Sequence, residues 1–185
     1  MHIFFQSFVL VALTEMGDKT QLLAFILASR YRKPWTIMAG IFTATVLNHL
    51  LAASVGSYLS TLIPTQTLHY ILALIFIAFA VWILVPDKED DDGHSNRFGP
   101  YLTTVISFFL AEMGDKTQLS TIALAARFNN LPLVTLGTTA GMMFSDGLAV
   151  FFGEKVTKII PVKWIHRFAA LLYVGLAALL VFHNQ

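Results

Sequence analysis

The sequence predicts an all-α polytopic membrane protein with six transmembrane helices, arranged as two inverted three-helix repeats. The first observation behind this is composition: 56% of the 185 residues are hydrophobic, 12% are charged, and the mean hydropathy is +0.69. A soluble core of this size would not need so continuous an apolar content. The second observation is a set of six long apolar stretches. The third is a second half that repeats the first at a shift of 97 positions.

The six apolar stretches predict the positions of the helices. They lie at about residues 3–29, 35–62, 68–85, 101–127, 133–156 and 164–183. The first and fourth exceed the ~20 residues needed to span a bilayer, so we expect tilt or a break there, at Gly17 and Gly114. All six prolines fall at or near the ends of the predicted helices, as expected of residues that cannot continue a helix: Pro34, Pro64, Pro86, Pro100, Pro132 and Pro161.

The repeat unit is three helices. An odd number of spans forces the two copies into opposite orientations, and inverted repeats with a site at the midplane are a common transporter plan. We therefore divide the chain into a first repeat at 1–85, an acidic linker at 86–100 and a second repeat at 101–185. Identical residues 97 positions apart support this division: Leu27 and Leu124, Ala28 and Ala125, Arg30 and Arg127, Gly40 and Gly137, Gly56 and Gly153, Pro64 and Pro161, His69 and His166.

The loop charges predict the orientation. Arg127 is the only Lys or Arg in the loops of one side. This asymmetry places the opposite loops in the cytoplasm and both termini outside. The acidic run at 87–92 is then interpreted as a flexible cytoplasmic linker, with attraction of divalent cations at the entrance as the alternative. The cytoplasmic side carries Arg30, Arg32, Lys33, Lys88, Arg97, Lys155, Lys158, Lys163 and Arg167.

Composition also excludes several classes of function. The net charge is +1, and there is no basic cluster or Gly-rich phosphate loop, which argues against a nucleic-acid partner. Cysteine is absent, so thiolate metal ligands and cysteine nucleophiles are excluded. The sequence predicts a non-enzyme without a cofactor, whose partners are the lipid bilayer, a divalent metal ion and protons. A homo-oligomer is compatible with the sequence but not indicated by it.

An eight-residue motif, Glu-Met-Gly-Asp-Lys-Thr-Gln-Leu, occurs twice, at 15–22 and at 112–119. Each copy lies inside an apolar stretch, where an ionisable residue costs about 2.5–3.5 kcal/mol. Six such groups carry a gross penalty on the order of 15–20 kcal/mol before pairing or hydration offsets it. We therefore predict that the two segments meet and form the functional site.

The motif predicts a site for a hard divalent cation. On a regular helix, positions three apart share a face, so each copy presents two carboxylates and one amide oxygen in a row. Two crossing helices would gather six oxygen donors, which suits Ca²⁺, Mn²⁺ or Mg²⁺. Four carboxylates and two lysines sum to −2, which one divalent cation neutralises. The predicted metal ligands are Glu15, Asp18, Gln21, Glu112, Asp115 and Gln118.

The remaining motif residues have alternative roles. Lys19 and Lys116 follow the glutamates by four residues, so they could pair with them or compete for the carboxylates when the site is empty. Thr20 and Thr117 could bond backbone carbonyls freed near the glycines. Packing is the default role for Met16 and Met113. If the helices unwind at the glycines, a thioether could reach the ion and favour Mn²⁺, because soft ligands discriminate against hard cations.

Predicted helices 2 and 5 add polar residues at mid-depth, where Asn48 and His49 match Ser145 and Asp146. Asp146 is interpreted as a ligand, a proton carrier or the mate of a lysine. His49 could relay protons or be a hydrogen-bonded packing residue. The same two helices carry small residues at helical spacing, which indicate close helix packing: Gly40, Ala44, Ala52, Gly56, Gly137, Gly141, Ala149 and Gly153.

The doubled Glu-x-Gly-Asp-Lys-Thr phrase, in a six-helix chain with an acidic central linker, resembles one family of cation exchangers. The family includes the Golgi Ca²⁺/Mn²⁺–proton exchangers of eukaryotes and bacterial manganese exporters. The likeness covers essentially the whole chain and is greatest to the bacterial members, which implies a bacterial inner membrane. It implies secondary transport of Mn²⁺ or Ca²⁺ against protons, with Glu15, Asp18, Glu112 and Asp115 as ligands.

Energetics favours exchange over passive flow for an exporter. Moving two positive charges out of a negative interior costs about 4.6 kcal/mol per 100 mV, and no ATP-binding motif is present to supply it. Other readings are a cation channel with an acidic ring, an exporter of small cationic organic molecules, a purely structural membrane protein and an intramembrane aspartyl protease. The protease reading is disfavoured because Met-Gly-Asp lacks the first glycine of its Gly-x-Gly-Asp signature.

Overall fold

The computed structural model describes residues 1–84, 98–153 and 162–182. The described residues form eight α-helices and contain no strand, which confirms the all-α prediction. The helices are α1 (His2–Thr14), α2 (Lys19–Tyr31), α3 (Pro34–Leu62), α4 (Thr65–Trp82), α5 (Pro100–Glu112), α6 (Lys116–Phe128), α7 (Leu131–Phe152) and α8 (Val162–Phe182). Four of the eight, α3, α4, α7 and α8, are long and apolar enough to cross a membrane, and α1 is a shorter apolar helix.

The two stretches predicted as single long helices are each broken into two helices of 13 residues. The breaks fall at the expected glycines, with φ of +82° at Gly17 and +78° at Gly114. Only glycine adopts this left-handed backbone without steric cost, which explains why the interruption occurs there. Each motif therefore spans a short non-helical break and continues into the helix that follows it.

Most other predicted helix ends agree with the structure to within a few residues. Pro34 and Pro100 begin α3 and α5, Pro132 is the second residue of α7, and Pro64 caps α4. Proline is favoured at these positions because the first turn has no intrahelical acceptor for its missing N–H. Pro86 and Pro161, the acidic run at 87–92 and the loop lysines 88, 155 and 158 lie outside the described residues.

Helices of the two halves of the chain pack against one another. The broken helix α1 packs on α7 and α5 packs on α3, while α3 and α7 contact each other and α4 packs on α8. Glycines make this approach close: a Cβ on Gly137 would lie 2.6 Å from the Phe4 carbonyl oxygen, and one on Gly40 would lie 2.7 Å from Cβ of Thr104. The small-residue positions predicted to pack closely thus hold each half against the other.

The halves differ at the ends of α3 and α7. A Cβ on Gly56 of α3 would overlap the carbonyl oxygen of Ile122 in α6. At the matching Gly153, after α7, the nearest atom is a side-chain carbon of Phe25 in α2, at 3.2 Å. Helix α6 also packs on α4, whereas the described parts of α2 and α8 make no comparable contact. Among the described residues, packing is therefore tighter around α6 than around α2.

Candidate metal-binding site

The two motifs meet in the interior. The hydroxyl of Thr117 in the second motif donates a hydrogen bond to Glu15 in the first. Lys19 Nζ of the first motif lies 4.0 Å from Asp115 Oδ1 of the second. All four motif carboxylates are buried: Glu15, Asp18, Glu112 and Asp115. The structure thus brings together the acids that the sequence predicted as ligands.

The two glutamates occupy different environments although their motifs are identical. Glu15 accepts hydrogen bonds from Thr117 and, at 2.7 Å, from Thr20. Glu112 is 1% exposed, and neither of its carboxylate oxygens has a hydrogen-bond partner in the described part of the protein. The prediction that the two threonines bond freed backbone carbonyls is wrong, because Thr20 donates across its own break, and Thr117 from the other motif, to the Glu15 carboxylate instead.

Glu112 lies in a field of negative charge. Its carboxylate interacts electrostatically with those of Glu15, Asp115, Asp146 and Asp18. A buried anion without a partner is costly, and several like charges raise the cost further. A bound cation or a proton on one of the acids would relieve both penalties, so the arrangement is suited to binding either.

Asp146 on α7 belongs to the same group. It is fully buried, neither carboxylate oxygen has a hydrogen-bond partner among the described residues, and it interacts electrostatically with Glu15 and Glu112. Of the three roles considered for it, the lysine mate is wrong because no described lysine pairs with it. The ligand and proton-carrier roles stay predictions.

The matching polar residues on α3 lie nearby in the interior. His49 is fully buried, and neither ring nitrogen has a hydrogen bond to the described residues, so it is not the hydrogen-bonded packing histidine considered above. Asn48 donates from Nδ2 to the Phe109 carbonyl oxygen at 3.1 Å. Asn48 therefore ties α3 to α5 one turn before the second motif.

The glutamines secure the two breaks. Oε1 of Gln21 accepts from the Gly17 N–H at 2.9 Å, and Oε1 of Gln118 accepts from the Gly114 N–H at 2.7 Å. Gln21 also donates to the Ser145 carbonyl oxygen at 3.0 Å. The continuous row of acids and glutamine assumed above is wrong, because the backbone turns at the glycine between them. Metal ligation by the glutamines stays a prediction.

The lysines of the two motifs contact different groups, and a motif methionine is exposed. Lys19 pairs with Asp115 of the opposite motif, whereas Lys116 Nζ lies 5.9 Å from the Trp82 ring centroid, within cation–π range. Met113 is 57% exposed, so packing in the core does not describe it. The unwinding on which the thioether hypothesis depended is present at both glycines, but a methionine ligand stays a prediction.

One of the two helix ends at each break suits a cation. The C-terminal ends of α1 and α5 lie at the breaks and carry carbonyl oxygens, whereas α2 and α6 begin there with their N-terminal ends, which have the opposite polarity. Discontinuous helices present carbonyl-bearing C-terminal ends and unwound carbonyls to cations in this way. Within residues 1–84, 98–153 and 162–182, however, no three His, Asp or Glu side chains stand in chelating geometry. The acids lie in the same region but do not form a complete coordination sphere.

Sequence reasoning missed two residues of α8 that contact this region. His166 Nε2 lies 2.8 Å from the Met16 carbonyl oxygen, which the first break frees from helical bonding. The hydroxyl of Tyr173, a residue 1% exposed, lies 2.8 Å from Oγ of Ser120 in α6. A tyrosine at the centre of an apolar stretch was the available signal, because a buried hydroxyl needs a partner.

Comparison with known proteins matched one family model and several relatives. A profile of the family described as "Divalent cation/proton antiporter GDT1" matches residues 3–91 and 100–185. A Vibrio cholerae protein described as a candidate manganese exporter is 42% identical over 172 residues, which are 92% of this chain and 86% of that protein. A GDT1-like protein of Synechocystis is 28% identical over 195 residues, 92% of each chain. GDT1-like protein 5 of Arabidopsis thaliana is 28% identical over 202 residues, 84% of this chain and 88% of that protein. No solved structure matches the chain.

Proposed function

The chain belongs to the GDT1 family of divalent cation/proton antiporters, which are transporters and not enzymes, and on this premise we propose that it exports Mn²⁺ in exchange for protons. The observation that carries the proposal is the pair Glu112 and Asp146, two buried carboxylates that interact electrostatically with Glu15 and have no hydrogen-bond partner among the described residues. Such acids need either a cation or protons, and competition between the two couples their movements.

Mn²⁺ is proposed over Ca²⁺ on two grounds. The Vibrio cholerae relative is described as a candidate manganese exporter. Both motifs are unwound at their glycines, which is the condition under which a motif thioether could reach the ion. Ca²⁺ is the second candidate, because carboxylate and carbonyl oxygens alone suit it equally well.

We further propose six membrane crossings in two inverted repeats. Four crossings are the long helices, and the pairs α1–α2 and α5–α6 each make one discontinuous crossing. Matching backbone features support the repeat: the breaks at Gly17 and Gly114, and the left-handed residues Arg32 and Asn129 that end α2 and α6. Each pair lies 97 positions apart, like the motifs themselves.

We propose that the termini lie outside and the acidic linker in the cytoplasm, as the loop charges predict, and that the membrane is a bacterial inner membrane, on the basis of the Vibrio cholerae relative. In this orientation α6 lies in the outer half of the bilayer and α2 in the cytoplasmic half. The tight packing around α6 and the looser packing around α2 then correspond to an inward-facing conformation, in which an exporter would load its cation.

Transport by purified protein in liposomes tests the proposal. Mn²⁺, Ca²⁺ and Mg²⁺ uptake would be measured side by side, with and without an imposed pH gradient. We expect the gradient to drive Mn²⁺ against its own gradient, and Glu112→Gln or Asp146→Asn to reduce the rate at least tenfold. Glu154→Gln, an acid outside both motifs, is the control and should transport normally. Mn²⁺ flux indifferent to the pH gradient would overturn proton coupling and favour a channel.

A further inference from the structure

Three polar side chains form a cluster beside the motifs: Thr14 at the end of α1, Ser120 on α6 and Tyr173 on α8. The Tyr173 hydroxyl lies 2.8 Å from Ser120 Oγ, which also donates to the Lys116 carbonyl oxygen at 2.7 Å. Thr14 lines the same small cavity, and its hydroxyl donates to the Leu10 and Val11 carbonyl oxygens at 3.0 Å. All three residues are buried. We call them the polar cluster.

The polar cluster has no counterpart in the other half of the chain. The residues 97 positions away from Thr14, Ser120 and Tyr173 are Ala111, Leu23 and Phe76, and none of these side chains can hydrogen-bond. The neighbouring motif is, by contrast, identical in both halves over eight residues. The two-fold repeat is therefore broken at all three positions together, where α1, α6 and α8 line one cavity and a hydrogen bond joins α6 to α8.

The position of Tyr173, where the repeat is not matched, lies close to where the two halves meet. Tyr173 and its counterpart Phe76 are in contact across α8 and α4, with ring centroids 6.1 Å apart, and Phe79 of α4 lies 5.6 Å from the Tyr173 ring. In an inverted-repeat protein, the opposite conformation exchanges the environments of matching residues. Phe76, Leu23 and Ala111 would then occupy the cluster's present arrangement without any hydrogen bond.

We propose that the polar cluster stabilises the present conformation, with α6 packed against α3 and α4, over its inverted counterpart, and that Tyr173 sets the balance between them. This rests on the proposed inverted-repeat transporter. Tyr173 is a positioning residue, because its hydroxyl bonds to Ser120 of α6 rather than to a motif carboxylate. One intramolecular hydrogen bond shifts such an equilibrium by a factor of about 3 to 10.

Cysteine accessibility tests the inference without requiring transport. The chain has no cysteine, so single reporters can be introduced into an unmodified background. Phe25→Cys on α2 and Ile122→Cys on α6 are a matched pair, 97 positions apart, at the loose and tight ends of the protein. Each reporter would be labelled with a membrane-impermeant maleimide in vesicles of known orientation, from the side on which it lies.

We expect Tyr173→Phe to raise the labelling rate of Ile122→Cys about threefold to tenfold and to lower that of Phe25→Cys by a similar factor. Ser120→Ala should act in the same direction, which guards against a folding defect peculiar to Tyr173→Phe. Tyr70→Phe, at a tyrosine that is 54% exposed, is the control and should change neither rate.

Unchanged rates in both cluster variants, or equal changes in Tyr70→Phe, would overturn the inference. Because labelling is measured without metal or a pH gradient, its outcome is separate from that of the transport assay. A protein that labels as expected but moves no Mn²⁺ would retain the conformational role of the cluster and refute the proposed substrate.

Discussion

The hydroxyl of Thr117 in the second motif donates a hydrogen bond to Glu15 in the first, 102 residues away in the sequence. Thr117 does so although its own motif contains the equivalent glutamate, Glu112. Thr20 also donates to Glu15, at 2.7 Å, so both motif hydroxyls converge on one of two equivalent glutamates. Glu112 receives neither. The site is therefore asymmetric in a chain whose two motifs are identical.

The hydroxyl of Thr117 should matter for transport. Thr117→Val removes one of the two hydroxyls on Glu15, and a hydrogen bond to a charged group contributes about 1.5–3 kcal/mol. We expect at least a tenfold loss in the initial rate of Mn²⁺ transport in liposomes. Thr117→Ser, which keeps the hydroxyl, should retain most activity. A Thr117→Val protein as active as the wild type would contradict the role of the hydroxyl, and a Thr117→Ser protein slower than Thr117→Val would show that the methyl group matters instead.

The carboxylate of Glu112 should couple metal binding to stability. Glu112→Gln removes a buried charge that has no hydrogen-bond partner in the part of the chain that the structure describes, so the unfolding temperature of the metal-free protein should rise or stay unchanged. The rise in unfolding temperature that saturating Mn²⁺ produces in the wild type by binding the folded state should be lost. Thermal unfolding in detergent measures both quantities.

Glu154→Gln is the control for that measurement and should keep the metal-induced rise. A Glu112→Gln protein that is still stabilised by Mn²⁺ to the wild-type extent would exclude Glu112 from the binding site.

Gly114, at the second break, should be required only because glycine tolerates the positive φ found there. A Cβ on Gly114 would meet no atom within 4 Å, so Gly114→Ala is opposed only by the φ of +78°. That conformation costs an L-residue about 1–2 kcal/mol, and the unfolding free energy should fall by this amount. Gly175→Ala is the matched control, because its Cβ also meets nothing, but the residue is helical. It should be neutral or slightly stabilising.

Gly56, at the end of α3 that packs tightly on α6, should control how closely these two helices approach each other. Gly56→Ala places a methyl group on the Ile122 carbonyl oxygen, so α6 must move away from α3. We expect a higher maleimide labelling rate for the Ile122→Cys reporter than in its parent. Gly147→Ala, whose Cβ would lie 3.5 Å from the Met38 side chain, is the control and should leave the rate unchanged. A rate unaffected by Gly56→Ala would mean that α6 does not open along α3.

Much of the fold could be predicted because its causes are local. Hydropathy indicated the apolar segments, proline marked the helix starts, and the two motif glycines marked the breaks within segments too long for one span. The meeting of the motifs was predicted from the cost of burying charge. The geometry of the acids could not be predicted, because a backbone break changes the direction of every side chain after it. Asp18 and Asp115 therefore do not continue the row begun by the glutamates.

The sequence by itself determined that two identical acid motifs lie in apolar segments, that each interrupts its helix at a glycine, and that the chain repeats itself after 97 positions. Only the tertiary structure decided which glutamate receives the hydroxyls, that Asp146 joins the motif acids, and that Tyr173 bonds to Ser120. The physical reason is that local sequence properties act equally on two identical motifs. Their environments differ because α6 packs closely and α2 does not, and that choice is made by contacts between residues far apart in the chain.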